Sequence, residues 1–300
     1  MKKNLNWPLE AASSSEATQR WSHPASNICL DFHGDPITAE LAVFSDGNHH
    51  MALEASLQSF RHQNPEVVDI FYATTPPSVI VNLLTNGQIV LGNLTLSRLP
   101  NIFISPKGIM DKLKAEGYVD SHQAFMQSRG NVLLVRKDNP KNIQGIEDLL
   151  RDEVRLFISN PKTEKASYDV YEETLLALAE EQNLDQSAFK TLLSDQCPRL
   201  VVGERIHHRE APQCLYDDNA DVALIYYHLA LRYTRIFPDI FDIIPLGGTK
   251  EEPQFSKNNV TTDYHIGVVR NGSKWGESFF DYMFSDVVTQ LYAEHGLQRP

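Results

Sequence analysis

The sequence has few cysteines and no long apolar run. Its three cysteines, Cys29, Cys197 and Cys214, are an odd number at no metal-ligand spacing. This excludes a disulfide framework and a cysteine-rich zinc site. The longest apolar segment, Val222 to Leu231, is interrupted by two tyrosines and a histidine, whereas a membrane-spanning helix needs roughly 20 apolar residues. We therefore expect a soluble chain with no direct membrane insertion.

Basic residues are also scarce. The chain has 27 lysines and arginines against 39 aspartates and glutamates, for a formal net charge of -12, and its pI is near 5.3. This balance repels nucleic-acid backbones unless a local basic patch intervenes, and the sequence contains none. We expect no nucleic-acid partner. Polar residues follow Lys2 and Lys3 where a secretory signal would have an apolar core, so we expect no signal peptide in this chain.

The overall composition is that of a globular protein, with 42% hydrophobic and 22% charged residues. Residues 1–36 have no sustained period and are interpreted as an N-terminal extension. From Glu40 onward, short apolar strands alternate with turns and amphipathic helices. This alternation predicts an α/β fold with parallel sheets covered on both faces. The predicted strands are 41–44, 67–72, 101–105, 132–135, 155–159 and 222–226, and the predicted helices are 51–60, 79–84, 107–116, 145–151, 168–181 and 279–292.

Several segments, taken in their order, are similar to those of a known family. They are Ala42-Val43-Phe44, Asn101 to Ser105 before Met110 to Leu113, Val132 to Val135, Tyr171 to Leu175, Ala220 to Tyr226, and Phe280 to Ser285 continuing through Glu294 to Leu297. Residues from about 40 to 300 thereby resemble the type II periplasmic solute-binding proteins, especially their molybdate-binding branch.

The resemblance implies a type II periplasmic-binding-protein fold with two Rossmann-like lobes and a ligand cleft at the hinge. Lobe 1 is expected over 37–128 plus 246–300, and lobe 2 over 129–245. The implied function is non-catalytic binding of a small inorganic ion in the interlobe cleft, as in the solute receptors of ABC transporters. A metal oxyanion such as molybdate or tungstate is placed ahead of a divalent metal, and no cofactor beyond the bound ion is required. The implied partner is the transporter's membrane subunit, and the implied location is periplasmic or extracellular.

The same resemblance selects candidate ligand-binding residues in loops that follow strands or begin helices. Helix N-termini at such loops present unpaired N–H groups to a ligand. Helix capping by the same residue types is the alternative for each loop. The candidates are Ser45, Asp46, Asn48 and His49 in the first loop, Thr74 and Thr75 in the second, Ala166 and Ser167 in the third, His208 and Arg209 in the fourth, and Tyr226 at a strand end.

Histidines open a metal-binding alternative. His49 and His208 belong to loops of different predicted lobes, and with Asp46, Glu210 or Tyr226 they form a mixed nitrogen and oxygen ligand set for Zn or Fe. Metal affinity would fall as the pH drops through about 6.5, whereas anion binding would hold or improve as His208 gains charge.

A second functional class stays open, an intracellular enzyme or sensor on the same bilobal fold. The lack of a signal peptide motivates it, with His49, His208 and Tyr226 as the available acid, base or reactive groups. The sequence contains no GxGxxG after a strand, no P-loop, no GxSxG and no HExxH motif. We therefore favour a non-catalytic binding protein.

Overall fold

The computed structural model describes residues 31–75, 77–91, 94–204, 206–250, 253–269 and 273–300. Most of the predicted N-terminal extension, residues 1–30, lies outside these ranges. The described chain forms two compact units. We call residues 31–127 and 263–300 the outer unit, because these two segments flank the other unit in the sequence, and we call residues 128–262 the inner unit. The chain therefore passes between the units after Gln127 and after Thr262.

The described elements alternate between strands and helices over most of the chain. The strands are β1 (Asp31–His33), β2 (Leu41–Ser45), β3 (Ile70–Thr74), β4 (Ile89–Leu91), β5 (Leu94–Leu96), β6 (Ile102–Pro106), β7 (Val119–Ser128), β8 (Asn131–Arg136), β9 (Leu156–Ile158), β10 (Leu200–Val202), β11 (Val222–Tyr226), β12 (Phe241–Pro245), β13 (Asp263–Val269) and β14 (Leu297–Gln298). The helices are α1 (His50–Gln63), α2 (Pro77–Asn86), α3 (Lys107–Ala115), α4 (Lys165–Glu181), α5 (Gln186–Leu192), α6 (His207–Tyr216), α7 (Tyr227–Ile236), α8 (Lys274–Tyr282) and α9 (Asp286–Glu294). Short 3-10 helices occupy Gly47–His49 and Ile146–Leu150.

The outer unit is built on a seven-stranded sheet in the order β1-β3-β2-β6-β13-β7-β14. Strands β3, β2 and β6 are parallel neighbours, whereas β1 pairs antiparallel with β3, and β13 antiparallel with both β6 and β7. Successive residues of β2 join different cores, because side chains alternate across a strand. Val43 packs with residues of α1, α8 and α9, and Phe44 packs with residues of α2 and α3.

The inner unit is built on a five-stranded sheet in the order β10-β9-β11-β8-β12. Strands β10, β9 and β11 are parallel, and β8 and β12 add antiparallel pairs. Its single large core includes Leu134 of β8, Leu175 of α4 and Leu229 of α7. Each unit thus has three adjoining parallel strands, and the predicted parallel sheet is extended by antiparallel strands in both.

The predicted α/β alternation holds for most elements, with two informative differences. The single C-terminal helix predicted over 279–292 is wrong, because α8 ends at Tyr282 and α9 begins at Asp286. Ser285 starts the new helix, since its side chain accepts a hydrogen bond from the Val288 amide at 3.3 Å. Several described elements were also not predicted, namely strands β1, β4, β5, β7, β10, β12, β13 and β14 and helices α5, α6 and α7. Among the described residues, no helix combines the length and the apolar character that crossing a membrane requires.

Residues 246–262, which the sequence analysis assigns to lobe 1, lie in the inner unit. Asn259 binds the main chain of Asn131 at the start of β8: its Oδ1 accepts from the Asn131 amide at 2.6 Å, and its Nδ2 donates to the Asn131 carbonyl at 2.8 Å. Gly130 beside it has φ +91°, and a Cβ there would lie 2.7 Å from Asn259 Oδ1. The close approach explains why glycine occupies position 130.

We predict that Asn259→Ala lowers the free energy of unfolding by about 2–4 kcal/mol, because the buried amide and carbonyl of Asn131 lose their partners. Urea denaturation measures the change. Asn258→Ala is the matched control: the Asn258 side chain donates to Glu181 Oε2 at an exposed position, and its removal costs less than about 1 kcal/mol. Equal effects of the two substitutions would contradict the assignment.

Candidate functional site

In the outer unit, polar residues follow the carboxyl ends of the three parallel strands. Ser45 ends β2, Thr74 ends β3, and Ser105 lies near the end of β6. The Thr75 amide donates to the Ser45 carbonyl at 3.0 Å, and the Asp46 amide donates to the Ile104 carbonyl at 3.1 Å. These two bonds connect the three loops side by side. The strand ends are also followed by α1, α2 and α3, so helix N-termini face the same edge.

Several polar groups at this edge are buried and have no hydrogen-bond partner among the described residues. They are the hydroxyls of Thr75 and Ser105 and the Oδ2 atom of Asp46. The exposed fractions of these residues are 1%, 0% and 2%, respectively. Buried polar groups normally have partners, because an unmade hydrogen bond costs about 1–3 kcal/mol. The cluster is therefore equipped to bind a polar ligand.

Asp46 also caps the short 3-10 helix. Its Oδ1 accepts from the Asn48 amide at 3.2 Å, as expected of a capping aspartate. Burial raises the pKa of the Asp46 carboxyl to about 7, and the hydrogen bond from Asn48 opposes this shift. Asn48 itself is half-buried. Its main-chain role agrees with the capping alternative of the sequence analysis.

His49 is fully buried beside the Asp46 loop, where both of its ring nitrogens are engaged. Nε2 lies 2.8 Å from Ser45 Oγ, and Nδ1 lies 3.0 Å from the Tyr292 hydroxyl of α9. The ring also contacts Phe125 and Tyr264. His49 thus connects the end of β2 to α9 within the core. The hydrogen bonds leave neither nitrogen open for a metal ion.

In the inner unit, Ala166 and Ser167 lie in the first turn of α4, which begins three residues earlier than predicted. The first intrahelical bond runs from the Tyr168 amide to the Glu164 carbonyl at 3.0 Å. The main-chain amides that precede Tyr168 belong to the donors that a helix cannot satisfy itself. Ala166 is exposed and Ser167 is half-buried, so both lie at the surface of this unit.

The N-terminus of α6 holds the predicted fourth loop, and two carboxylates already bind there. Glu164 Oε2 accepts from the His207 amide at 2.7 Å. Glu210 accepts from the Glu204 amide at 2.8 Å and from the Ile206 amide at 3.3 Å. Burial, and to a smaller extent the charge of Glu210, raises the pKa of Glu164 to about 7. An anion at this helix end would meet these acidic groups.

His208 differs from its predicted electrostatic role. Burial, with smaller contributions from nearby positive groups, lowers its pKa well below the ordinary value. It therefore stays neutral near pH 6.5, and the expected gain of charge on His208 is wrong. Its carbonyl accepts from the Tyr233 hydroxyl. The adjacent His207 stacks on Phe157, and burial lowers its pKa to about 3.

Tyr226 ends β11 as predicted and is almost fully buried. Its hydroxyl lies 3.1 Å from Thr262 Oγ1, and its ring stacks on His228. Arg209 is half-buried in the first turn of α6. No group of three or more His, Cys, Asp or Glu residues in the described part of the chain is arranged to hold a metal ion.

The sequence analysis did not select three polar residues at these strand and helix ends, Ser105, Ser159 and Glu164. Ser105 ends a predicted strand, and Ser159 directly follows β9, is fully buried and has no hydroxyl partner among the described residues. Both carried a usable signal, because they end strands as Ser45 does. Glu164 carried none, since its contact with α6 spans 43 residues of sequence.

The model of the bacterial extracellular solute-binding protein family matches residues 41–298. The chain belongs to this family. Its members are solute receptors, typically non-enzymatic and located in the periplasm or outside the cell. No curated protein matches the chain.

Solved structures of solute-binding proteins share the fold. The substrate-binding domain of a molybdenum ABC transporter from Clostridium difficile is 15% identical, with a TM-score of 0.61 over 87% of this chain and 98% of that chain. PEB3 with bound L-phospholactate is 14% identical, with a TM-score of 0.61 over 87% of this chain and 100% of the other; PEB3 comes from Campylobacter jejuni. The sulfate-binding protein SubI of Mycobacterium tuberculosis is 16% identical, with a TM-score of 0.61 over 86% of both chains.

These matches confirm the resemblance to type II, molybdate-binding-like solute-binding proteins and the α/β periplasmic-binding-protein fold. At such identities the structural likeness shows the fold alone. The ligand, the interlobe cleft and the site residues of this family member stay predictions.

We predict that Glu164→Gln changes how stability depends on pH. The folded-state pKa of Glu164 lies above its ordinary value of 4.5, so the folded state binds a proton that the unfolded chain has released between about pH 4.5 and 7. The contribution of Glu164 to the free energy of unfolding is fully present below this pH window and is lost as the pH rises through it. Glutamine keeps the acceptor for the His207 amide without the charge.

The expected result is that the free energy of unfolding of Glu164→Gln, relative to the unsubstituted protein, rises between pH 5 and 8 by on the order of 1 kcal/mol. Urea denaturation at both pH values measures this difference. Glu173→Gln, an exposed position on the same helix, is the control and should show no such trend. A difference that falls between pH 5 and 8 would contradict the burial of Glu164.

Proposed function

We propose that this family member is the solute receptor of an ABC transporter and that it binds a small tetrahedral oxyanion. Molybdate, tungstate, sulfate and phosphate are the candidates. The observation that carries the proposal is the pair of buried hydroxyls, Thr75 and Ser105, which have no partner among the described residues. Hydroxyls donate hydrogen bonds to anion oxygens.

The surroundings of these hydroxyls favour an anion over a neutral solute. Strands β2, β3 and β6 are each followed by a helix, and helix N-termini attract negative charge without a lysine or arginine. The named ligands of fold relatives, a molybdenum compound, L-phospholactate and sulfate, agree with this class. The ligand position in an interlobe cleft and the membrane subunit as partner are parts of the proposal that follow from family membership.

Taken by itself, the inner unit offers a smaller set of anion-binding groups. The first-turn amides of α4 at Ala166 and Ser167 are the donors that the proposal uses there. The N-terminus of α6 is a weaker candidate, because Glu164 accepts from the His207 amide. We therefore assign the ligand chiefly to Thr75 and Ser105.

The divalent-metal alternative has less support. Of its two histidines, His49 uses both ring nitrogens for Ser45 and Tyr292. The same bonds occupy the ring nitrogens that His49 would use as a catalytic base, which weakens the enzyme or sensor alternative. A non-catalytic receptor remains the function that the geometry favours.

Isothermal titration calorimetry with molybdate, tungstate, sulfate, phosphate and Zn²⁺ tests the proposal. We expect at least one oxyanion to bind, and we expect Thr75→Val and Ser105→Ala each to weaken it about ten- to hundredfold, the loss of one hydrogen bond to a charged ligand. Ser56→Ala is the matched control, because Ser56 is a buried serine whose hydroxyl donates to the Ala52 carbonyl. Binding of Zn²⁺ but of no oxyanion would overturn the proposal.

A further inference from the structure

Two histidines of the outer unit meet on neighbouring strands. His122 lies on β7 and His265 lies on β13, and these strands pair antiparallel in the seven-stranded sheet. The Nδ1 atoms of the two rings lie 2.8 Å apart. The proposed function uses neither residue. Imidazole nitrogens are common metal ligands, so the pair is a second group of side chains with a chemistry of its own.

The register of the two strands fixes this close approach. His122 pairs with Gly267, and His265 pairs with Ala124, so the histidines are diagonal neighbours on one face of the sheet. Each ring is opposite a small residue, which leaves room for the two rings to meet. A Cβ atom at Gly267 would lie 2.8 Å from Val119 Cγ1, so the packing of the sheet keeps position 267 small.

Asp111 of α3 orients the first of the two rings. Its Oδ1 lies 3.3 Å from His122 Nε2. An ionised carboxylate only accepts hydrogen bonds, so Nε2 of the neutral ring donates and Nδ1 presents its lone pair to His265. Metal-binding histidines commonly donate their other ring N–H to a carboxylate, which fixes the ring and strengthens it as a ligand. The outer carboxylate of a metal site is thus in place.

The pair is held within the sheet and lies beside a solvated carboxylate. The side chain of His122 is 7% exposed, and His265 is 8% exposed. Asp111 is 49% exposed. Rings held in this way lose little freedom when they bind an ion, and solvent at Asp111 gives an ion access to them.

The charges that face the two rings are of both signs. They are Lys107, Lys114 and Asp111 around His122, and Lys107, Asp111 and Asp263 around His265. Lys107 Nζ donates to Asp111 Oδ2 at 2.7 Å, so its charge is paired. Burial is the largest effect on both histidines and lowers the pKa of each. Both rings are therefore neutral near pH 7, as metal ligation requires.

The distance between the nitrogens bears on the kind of ion. Two nitrogens about 2.0–2.1 Å from one ion lie about 2.9 Å apart at a right angle and about 3.3 Å apart in a tetrahedron. The observed 2.8 Å is nearer to the right angle. Right angles are typical of Cu²⁺ and Ni²⁺, whereas Zn²⁺ is usually tetrahedral.

We propose that His122 and His265 chelate a divalent transition-metal ion through their Nδ1 atoms, with Cu²⁺ and Ni²⁺ preferred over Zn²⁺ and with Asp111 positioning His122. The ion replaces the proton between the two nitrogens, and His265 then carries its proton on Nε2. Water fills the remaining positions. Asp111 contacts the opposite nitrogen and is not a ligand, in agreement with the absence of a metal-binding group of three such residues from the described ranges.

The site links the two strands through which the chain leaves and re-enters the outer unit, β7 and β13. It needs no oxyanion and does not depend on the proposed function.

Calorimetric titration of the full chain with Ni²⁺ and Zn²⁺ at about pH 7.5, without any oxyanion, tests the inference. We expect Ni²⁺ to bind more tightly than Zn²⁺ and His122→Ala to weaken Ni²⁺ binding at least about tenfold, since one of two ligands is lost. His122→Gln and His265→Gln keep a polar side chain and should show the same loss if His122→Ala does not fold. His62→Ala removes an exposed histidine of α1 and should leave the affinity unchanged.

The role of Asp111 has its own variant. Asp111→Asn should weaken Ni²⁺ binding about ten- to hundredfold, as the loss of an outer carboxylate does, while urea denaturation of the metal-free protein is unchanged. Glu116→Gln is the matched control, because Glu116 is an exposed acid that follows the same helix and pairs with Lys112. Equal affinities of Asp111→Asn and Glu116→Gln for Ni²⁺ would contradict the positioning role.

Electron paramagnetic resonance of the chain with one equivalent of Cu²⁺ identifies the ligands directly. We expect coupling to two imidazole nitrogens in the unsubstituted protein and in Asp111→Asn, and to one in His265→Gln. Three results would overturn the inference: no binding of Ni²⁺ or Cu²⁺, a Ni²⁺ affinity that is unchanged in His122→Gln and His265→Gln, or coupling to fewer than two nitrogens. Each of them would leave the proposed oxyanion-binding function intact.

Discussion

Parallel pairing of three neighbouring strands is the constraint on which the candidate site depends. In the outer unit, β3, β2 and β6 run in one direction, so Thr74, Ser45 and Ser105 end at one edge of the sheet. Main-chain bonds from Thr75 and Asp46 then join the loops. The inner unit repeats this arrangement with β10, β9 and β11. Ser45 precedes Thr74 by 29 positions and Ser105 by 60 positions in the sequence, and these residues become neighbours only because the strands are parallel.

The cost of burying polar groups explains the division of roles at that edge. Ser45, His49 and Tyr292 satisfy one another and connect β2 to α9, so they serve the fold. Thr75, Ser105 and one oxygen of Asp46 have no such partner among the described residues. Groups of the second kind have hydrogen-bonding capacity that a ligand could use. The same reasoning moves His49 from the ligand-binding candidates to the structural ones.

Two acidic residues with raised pKa values lie at these strand and helix ends. Asp46 and Glu164 both have a pKa raised to about 7 by burial, and each lies at a loop that the family resemblance assigns to ligand binding. The Glu164 carboxylate accepts a hydrogen bond from the His207 amide of α6, whereas Asp46 Oδ2 has no hydrogen-bond partner among the described residues.

The α/β class, the order of the predicted elements and the strand-end position of Tyr226 were determined by the sequence alone, because alternating apolar strands and capped helices are local patterns. The sequence placed Ser45 and Thr74 in turns that follow strands, whereas they are the last residues of β2 and β3. Ser105 and Ser159 also end predicted strands, although neither was selected as a candidate ligand-binding residue. The break between α8 and α9, the assignment of residues 246–262 to the inner unit and the contact of Glu164 with α6 were decided only by the tertiary structure. The tertiary structure alone also decided the burial of His49 between Ser45 and Tyr292. Each depends on partners that are distant in the chain, and a side chain's solvation and its remaining hydrogen-bonding capacity exist only once those partners have packed around it.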